Sequence, residues 1–478
     1  MSSRAVLSFA CLGPGNHVLR LEESITVLAP DAQTQALVDL AGILVAGQSH
    51  DAAGTGLFGF LVGQAVVRDQ LVASRRNGFT LLIEDEAPEA QGLPWECLRD
   101  AAGEFLALDA SPLVCRTVTP KKQLKPLTRT WTPPLQVLAV LAATGKQPDG
   151  RRLTAIKELQ ALVAGLDSAP AMPYRLRVLG CDDELDDATP DTDPKLWIEQ
   201  QDDGDRLSYD RLESLGQIED EIERLEPHVV HLFCHGFADP DRDNLPPHLE
   251  LALRFDQLAR KERGQLRVEA RELGDILAAH PATWLVVLNC CLGAAAGESI
   301  SFARELMSDP DLDLPAVVAM REAIDRRDAH LFCERFYDTM TDELAAAIAD
   351  AKPRDLLWAQ TLPPVRQALC KARCQSLASA DRCAEWTLPV LYVRREPFQL
   401  VEPGHGLPPA PVAPAADVGP PQGDVPANDL DAEEILGQLR IFKDIREELV
   451  QIPNLPPDRI AKVDARIAEL RRKLLEVA

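Results

Sequence analysis

Three runs of the chain are almost unbroken in Val, Leu and Ala: residues 135–142 (LQVLAVLA), 229–234 (VVHLFC) and 284–288 (WLVVL). A strand with one face in water alternates polar and apolar residues. A strand that reads apolar throughout is covered on both faces, the situation of parallel strands flanked by helices. Between the runs lie helical periods. Ile156, Leu159, Leu162 and Leu166 recur three or four apart, as do Leu215, Ile218, Ile222 and Leu225, a spacing that lines one face of a helix. Strand and helix in alternation predict an α/β fold with a mostly parallel central sheet and helices on both sides.

At 478 residues the chain exceeds what one hydrophobic core usually serves. Residues 1–130 have elements of their own, with strands expected at 5–10 and 79–83 and helices near 32–45 and 57–71, and read as an ancillary α/β region ahead of a second at 131–398. The stretch 181–205 is crowded with Asp. Its low hydrophobicity predicts a mobile surface insertion, and its carboxylates lack the ligand-and-glycine spacing of a calcium loop. Residues 399–429, rich in Pro, Ala and Gly from 402 onward, read as a linker. Beyond it, in 430–478, Ile435, Leu436, Leu439, Phe442, Ile445 and Leu449 form one apolar helical stripe, and Ile460, Val463, Ile467, Leu470 and Leu474 form a second. These predict a helical hairpin too small to be comfortable alone, so it is expected to dock on a protein partner or on a copy of itself.

Bulk properties exclude several classes. Fifty Lys and Arg against seventy-five Asp and Glu leave a formal charge of −25, which repels phosphate backbones and argues against a nucleic-acid substrate. No apolar run reaches the roughly 20 residues of a membrane span, and the start of the chain lacks a secretory pattern. Eleven scattered cysteines, an odd number, suit reduced thiols and a cytoplasmic protein. No cofactor and no metal are expected.

The chemistry concentrates at two strand ends. His235 follows VVHLFC and precedes Gly236; Cys291 follows WLVVLNC, two residues before Gly293. Both are expected just past the C-terminal ends of buried parallel strands, where open α/β sheets collect their functional loops. A thiol nucleophile needs an imidazole to take its proton and donors for the oxyanion that forms on the attacked carbonyl. His235 is therefore read as general base and Cys291 as nucleophile, with the Gly236 and Cys291 N–H groups as oxyanion hole. Cys290 and Cys291 point to opposite faces of a strand, so one of them faces the core; the order Cys-x-Gly favours Cys291 as nucleophile. A zinc site drawn from His231, Cys234, His235, Cys290 and Cys291 is the alternative, although its spacing is not that of a finger. Cys370 and Cys374, one helical turn apart, read as incidental.

VVHLFCHG and LVVLNCCLG resemble the two active-site strands of CHAT-domain proteases, relatives of caspases and separase. Residues 92–98 (GLPWECL), 315–320 (PAVVAM), 332–337 (FCERFY) and 385–392 (EWTLPVLY) resemble further elements of that family in the same order, so the similarity covers roughly 75–395. It implies a caspase-like three-layer sandwich, cysteine endopeptidase activity on protein substrates, and activation by a protein partner or sensor, which the C-terminal hairpin would engage. In prokaryotes the family serves defence and regulated cell death. The residue two before the nucleophile usually lines the pocket for the substrate residue at the cut; here it is Asn289, where related metacaspases carry an acid. Glu322, Asp325, Asp239 and Asp241 are candidate carboxylates for that pocket. A catalytically silent scaffold that recruits partners, and acyl transfer by the same dyad, are the alternative functions.

Overall fold

The three apolar runs become neighbouring parallel strands at the centre of one large sheet in a computed structural model of the chain. The described residues are 3–13, 16–21, 24–27 and most of 79–401; residues 28–78, 402–471 and 473–478 lie outside them, as do shorter stretches that include 86–93, 119–126, 146–154, 182–192, 202–205, 238–247 and 291–297. The chain divides into Met1–Leu407 and Pro408–Ala478. The helices expected near 32–45 and 57–71, the linker beyond residue 401 and the hairpin at 430–478 fall outside the described residues.

In chain order the strands are β1 (Ser3–Gly13), β2 (Asn16–Leu21), β3 (Ser24–Val27), β4 (Phe79–Asp85), β5 (Leu113–Thr117), β6 (Leu127–Thr130), β7 (Leu135–Leu141), β8 (Tyr174–Gly180), β9 (Leu207–Arg211), β10 (Val229–Phe237), β11 (His248–Leu251), β12 (Leu266–Glu269), β13 (Leu285–Cys290), β14 (Ala316–Met320), β15 (Arg354–Asp355), β16 (Pro389–Val393) and β17 (Phe398–Val401). The described helices are α1 (Ile156–Asp167), α2 (Pro194–Gln200), α3 (Leu215–Leu225), α4 (Arg254–Leu258), α5 (Ala270–Ala279), α6 (Glu298–Ser308), α7 (Arg326–Ile348) and α8 (Leu362–Cys374). The main sheet runs β3-β2-β1-β4-β5-β16-β14-β13-β10-β7-β8-β9, with β11 and β12 attached beside β10. From β14 to β9 every pairing is parallel. The main sheet holds strands from both sides of residue 130, because β5 pairs with β16. β17 adds to β6 and β15 in a separate small sheet, so residues 399–401, expected in the linker, belong to a strand.

The continuous apolar runs are explained by two cores, one on each face. Val137, Ala139, Val229, Phe233, Leu285, Val287, Ala316 and Val318 belong to the core that α1, α7 and α8 cover; Leu138, Val140, Val230, Leu232, Cys234, Val286, Leu288 and Val317 belong to the core that α3, α5 and α6 cover. Each such Val or Leu contributes roughly 1.5–3 kcal/mol on full burial. The helices follow their sequence periods: Ile156, Leu159, Leu162 and Leu166 are all buried on α1. α3 is capped by Ser214, whose hydroxyl accepts from the Gln217 N–H at 3.3 Å.

The acidic stretch is not a loop throughout. Residues 194–200 form α2, and Asp193 accepts from the N–H groups of Lys195 (2.8 Å) and Leu196 (3.1 Å). An Asp cap followed by Pro at the first helical position is a start signal that the density of acidic residues conceals.

Candidate active site at the tips of β10 and β13

Parallel register pairs Val229 with Leu285 and runs without slippage to Cys234 opposite Cys290. β10 does not end there. It continues through His235, Gly236 and Phe237 because β11 returns antiparallel along it, pairing His235 with Glu250, Gly236 with Leu249 and Phe237 with His248. His235 and Gly236 are thus inside a strand rather than past its end, a correction made by a partner strand the local sequence does not announce. His235 is the first residue of β10 beyond its ladder with β13, and Cys291 follows the last residue of β13. Cys291, Glu322, Asp239 and Asp241 lie outside the described residues.

Strand alternation sorts the remaining candidates. Cys234 belongs to the core under α3, α5 and α6, whereas His231 contacts Tyr337 of α7 and Glu158 of α1 on the opposite face. A zinc site using both His231 and Cys234 is therefore ruled out by the sheet between them. Asp325 is exposed; it caps α7 by accepting from the Arg327 N–H at 2.9 Å and pairs with Arg373 of α8 at 3.1 Å. Its carboxylate joins two helices.

Asn289 is wholly buried in a polar cluster centred on Glu158. Its Nδ2 donates to Glu158 Oε1 at 2.7 Å and to the Ala329 carbonyl at 3.1 Å. The other carboxylate oxygen lies 2.6 Å from His330 Nδ1, and His231 Nε2 is 3.1 Å from Oε1. His231 Nδ1 in turn is 3.1 Å from the Tyr337 hydroxyl. Burial pushes the Glu158 carboxyl up, but the hydrogen bonds and charge of the two imidazoles outweigh it and hold the pKa at about 2; burial pushes the Tyr337 hydroxyl well above its usual range. The wholly buried Glu158 is thus favoured as the carboxylate. Among the described residues, Asn289 Oδ1, His231 Nε2 and His330 Nε2 have no partner in good hydrogen-bond geometry, so His231 lies beside the carboxylate at 3.1 Å without a well-aligned bond to it.

Glu158 and His330 were not singled out by sequence reasoning. Glu158 sits beside Leu159 and four residues before Leu162 on the apolar face of α1, and a carboxylate on a core-facing stripe has to find donors. That signal was available. His330 gives none, because its role depends on how α7 packs against α1. Glu158, His231 and Cys333 also lie close enough to share a metal ion, but all three are fully buried and the carboxylate is already engaged by Asn289 and His330.

Among the described residues no helix is long and apolar enough to cross a membrane. No curated protein matches the chain. The family model described as CHAT domain matches residues 51–393, which include both strand tips, the Glu158 cluster and the strands on either side of them. That match spans well over half of the chain, and the chain belongs to the CHAT-domain family, whose usual reading is caspase-like.

Proposed function

We propose that this protein is a regulated cysteine endopeptidase in which His235 takes the proton of the Cys291 thiol. The observation that carries the reading is the register of β10 and β13: Cys234 pairs with Cys290, and the next residues along the two segments are His235 and Cys291. Neighbouring strands are about 4.8 Å apart, a separation that an imidazole and a thiol can bridge. The thiolate attacks the substrate carbonyl, and the oxyanion is met by the Gly236 and Cys291 N–H groups. The imidazolium returns its proton to the leaving amine, and water then hydrolyses the thioester, regenerating the thiol. In this reading Glu158 holds Asn289, two residues before the nucleophile, and so stiffens the tip of β13. Activation is assigned to a protein partner that engages residues 430–478.

Mapping new protein N-termini in cells that contain the partner tests the proposal. Cys291→Ala and His235→Ala are each expected to remove the new termini, and Cys290→Ala to leave them. New termini that persist unchanged in Cys291→Ala would refute the protease reading and leave the chain as a recruiting scaffold. Products carrying a transferred amine in place of a free carboxylate would identify acyl transfer.

A further inference from the structure

At the end of α8 the sulfurs of Cys370, Cys374 and Cys383 all lie within 4.8 Å of one another. Cys370 and Cys374 are one turn apart on one helix face. Gln375 then adopts a left-handed conformation, φ 63°, as the helix cap, its N–H bonded to the Lys371 carbonyl at 2.9 Å. Ser376 caps the short turn Leu377–Arg382 through the Ala378 N–H, and the Trp386 indole fixes that turn by donating to the Ala380 carbonyl at 3.0 Å. The reversal brings Cys383 back onto the helix end, with its Cα 6.6 Å from that of Cys374. The helix end is itself anchored, because Arg373 Nε bonds Asp328 Oδ2 of α7 at 2.8 Å.

Cys374 and Cys383 are joined as a disulfide and Cys370 is a buried thiol, which corrects the expectation that every cysteine is reduced. A disulfide uses two sulfurs, yet here a third is held within the same reach. Three sulfurs bound to one ion at about 2.3 Å in tetrahedral geometry would be about 3.8 Å apart, a small adjustment of the present positions. Cys374 and Cys383 are only partly buried, so solvent can reach the fourth position.

We infer that, when reduced, this protein binds one thiophilic divalent cation of the zinc class through Cys370, Cys374 and Cys383, with water as the fourth ligand. Reduction of the Cys374–Cys383 bond takes two electrons and two protons from a cellular thiol reductant, which becomes a disulfide. Metal binding then replaces three S–H bonds with three metal–sulfur bonds and releases three protons. The site fastens the end of α8 to the segment that leads into β16.

Cobalt(II) titration of the full chain, reduced and kept anaerobic, tests this independently of proteolysis. One cobalt per chain is expected, with thiolate-to-cobalt absorption and tetrahedral d–d bands that zinc abolishes by displacement. The double variant Cys374→Ser/Cys383→Ser is expected to lose these bands, and Cys370→Ser to bind at least tenfold more weakly. In the unaltered protein, bound zinc should shield all three cysteines from alkylation, a readout that needs no variant to fold. Absence of stoichiometric binding by the reduced chain overturns the inference. So does full binding by the double variant, which would move the ion to other thiols such as Cys290 and Cys291, or equal binding by the oxidised chain.

Discussion

A carboxylate wholly out of water stays ionised only if donors take up its oxygens, and Glu158 has Asn289, His231 and His330 around it. Glu158→Gln turns an acceptor into a donor that faces donors. Unfolding by urea is expected to show a loss of about 3 kcal/mol or more, the usual result of breaking a buried charged pair. The sign of the pH dependence follows from the lowered pKa. With a folded value of about 2 below an unfolded value near 4.3, the carboxylate stabilises the fold above about pH 4.3, and that contribution disappears as the pH falls toward 2. The difference in stability between the unaltered chain and Glu158→Gln should therefore shrink over that window; a constant difference would show that Glu158 is not an ion. Asn289→Asp is expected to be as damaging, since two carboxylates within hydrogen-bond distance cannot both ionise.

Contacts between elements carry two further expectations. α1 and α7 approach closely at Gly165, where an added Cβ would meet the Glu334 carbonyl oxygen and stand 2.8 Å from Tyr337 Cβ. Gly165→Ala has to push the helices apart, and a cost of about 1–3 kcal/mol in thermal or urea unfolding is expected, despite the better helix propensity of Ala. At the entry to β10, His228 stacks on Trp284 with ring centres 4.3 Å apart, and its Nδ1 accepts from the Gln136 N–H at 3.0 Å. Burial lowers its pKa to about 4. Below about pH 6.5 the unfolded chain takes up a proton that the folded one refuses, so stability falls as the pH drops from 6.5 toward 4, by about 2 kcal/mol between pH 7 and 5. NMR titration should find the His228 imidazole neutral at pH 5; a midpoint near 6.5 would contradict the burial argument.

Across the whole molecule, the strands before and after residue 130 are bound by the β5–β16 ladder and by the ion pair of Arg395 with Glu84. Glu96, in the Trp95–Cys97 turn, receives both Arg116 Nε and Nη2 at 3.0 Å, with neither side chain more than 1% exposed. Burial raises the Glu96 carboxyl, and the Arg116 charge and hydrogen bonds outweigh it, so the net shift is downward. Glu96→Ala removes the buried carboxylate that receives two of the Arg116 donors, and a loss of about 3–5 kcal/mol is expected. Expression of residues 131–407 alone strips β5 from β16 and removes Glu96 and Arg116 together. That fragment is expected to be insoluble, and a well-folded monomer would show that the two regions are independent after all.

The sequence alone was enough for the α/β class, the central parallel strands and the helices between them, because the periods of strands and helices are local properties that each stretch of chain carries by itself. It reached Asn289 as a residue of interest but not its surroundings: Glu158 and His330 are 172 residues apart, and nothing near either one encodes the other. Cys383 belongs with Cys370 and Cys374 only after the helix cap at Gln375 turns the chain back, and β10 extends past His235 only because β11 returns to it. Those outcomes depend on helix packing and chain reversal, which set distances between residues that no periodicity connects.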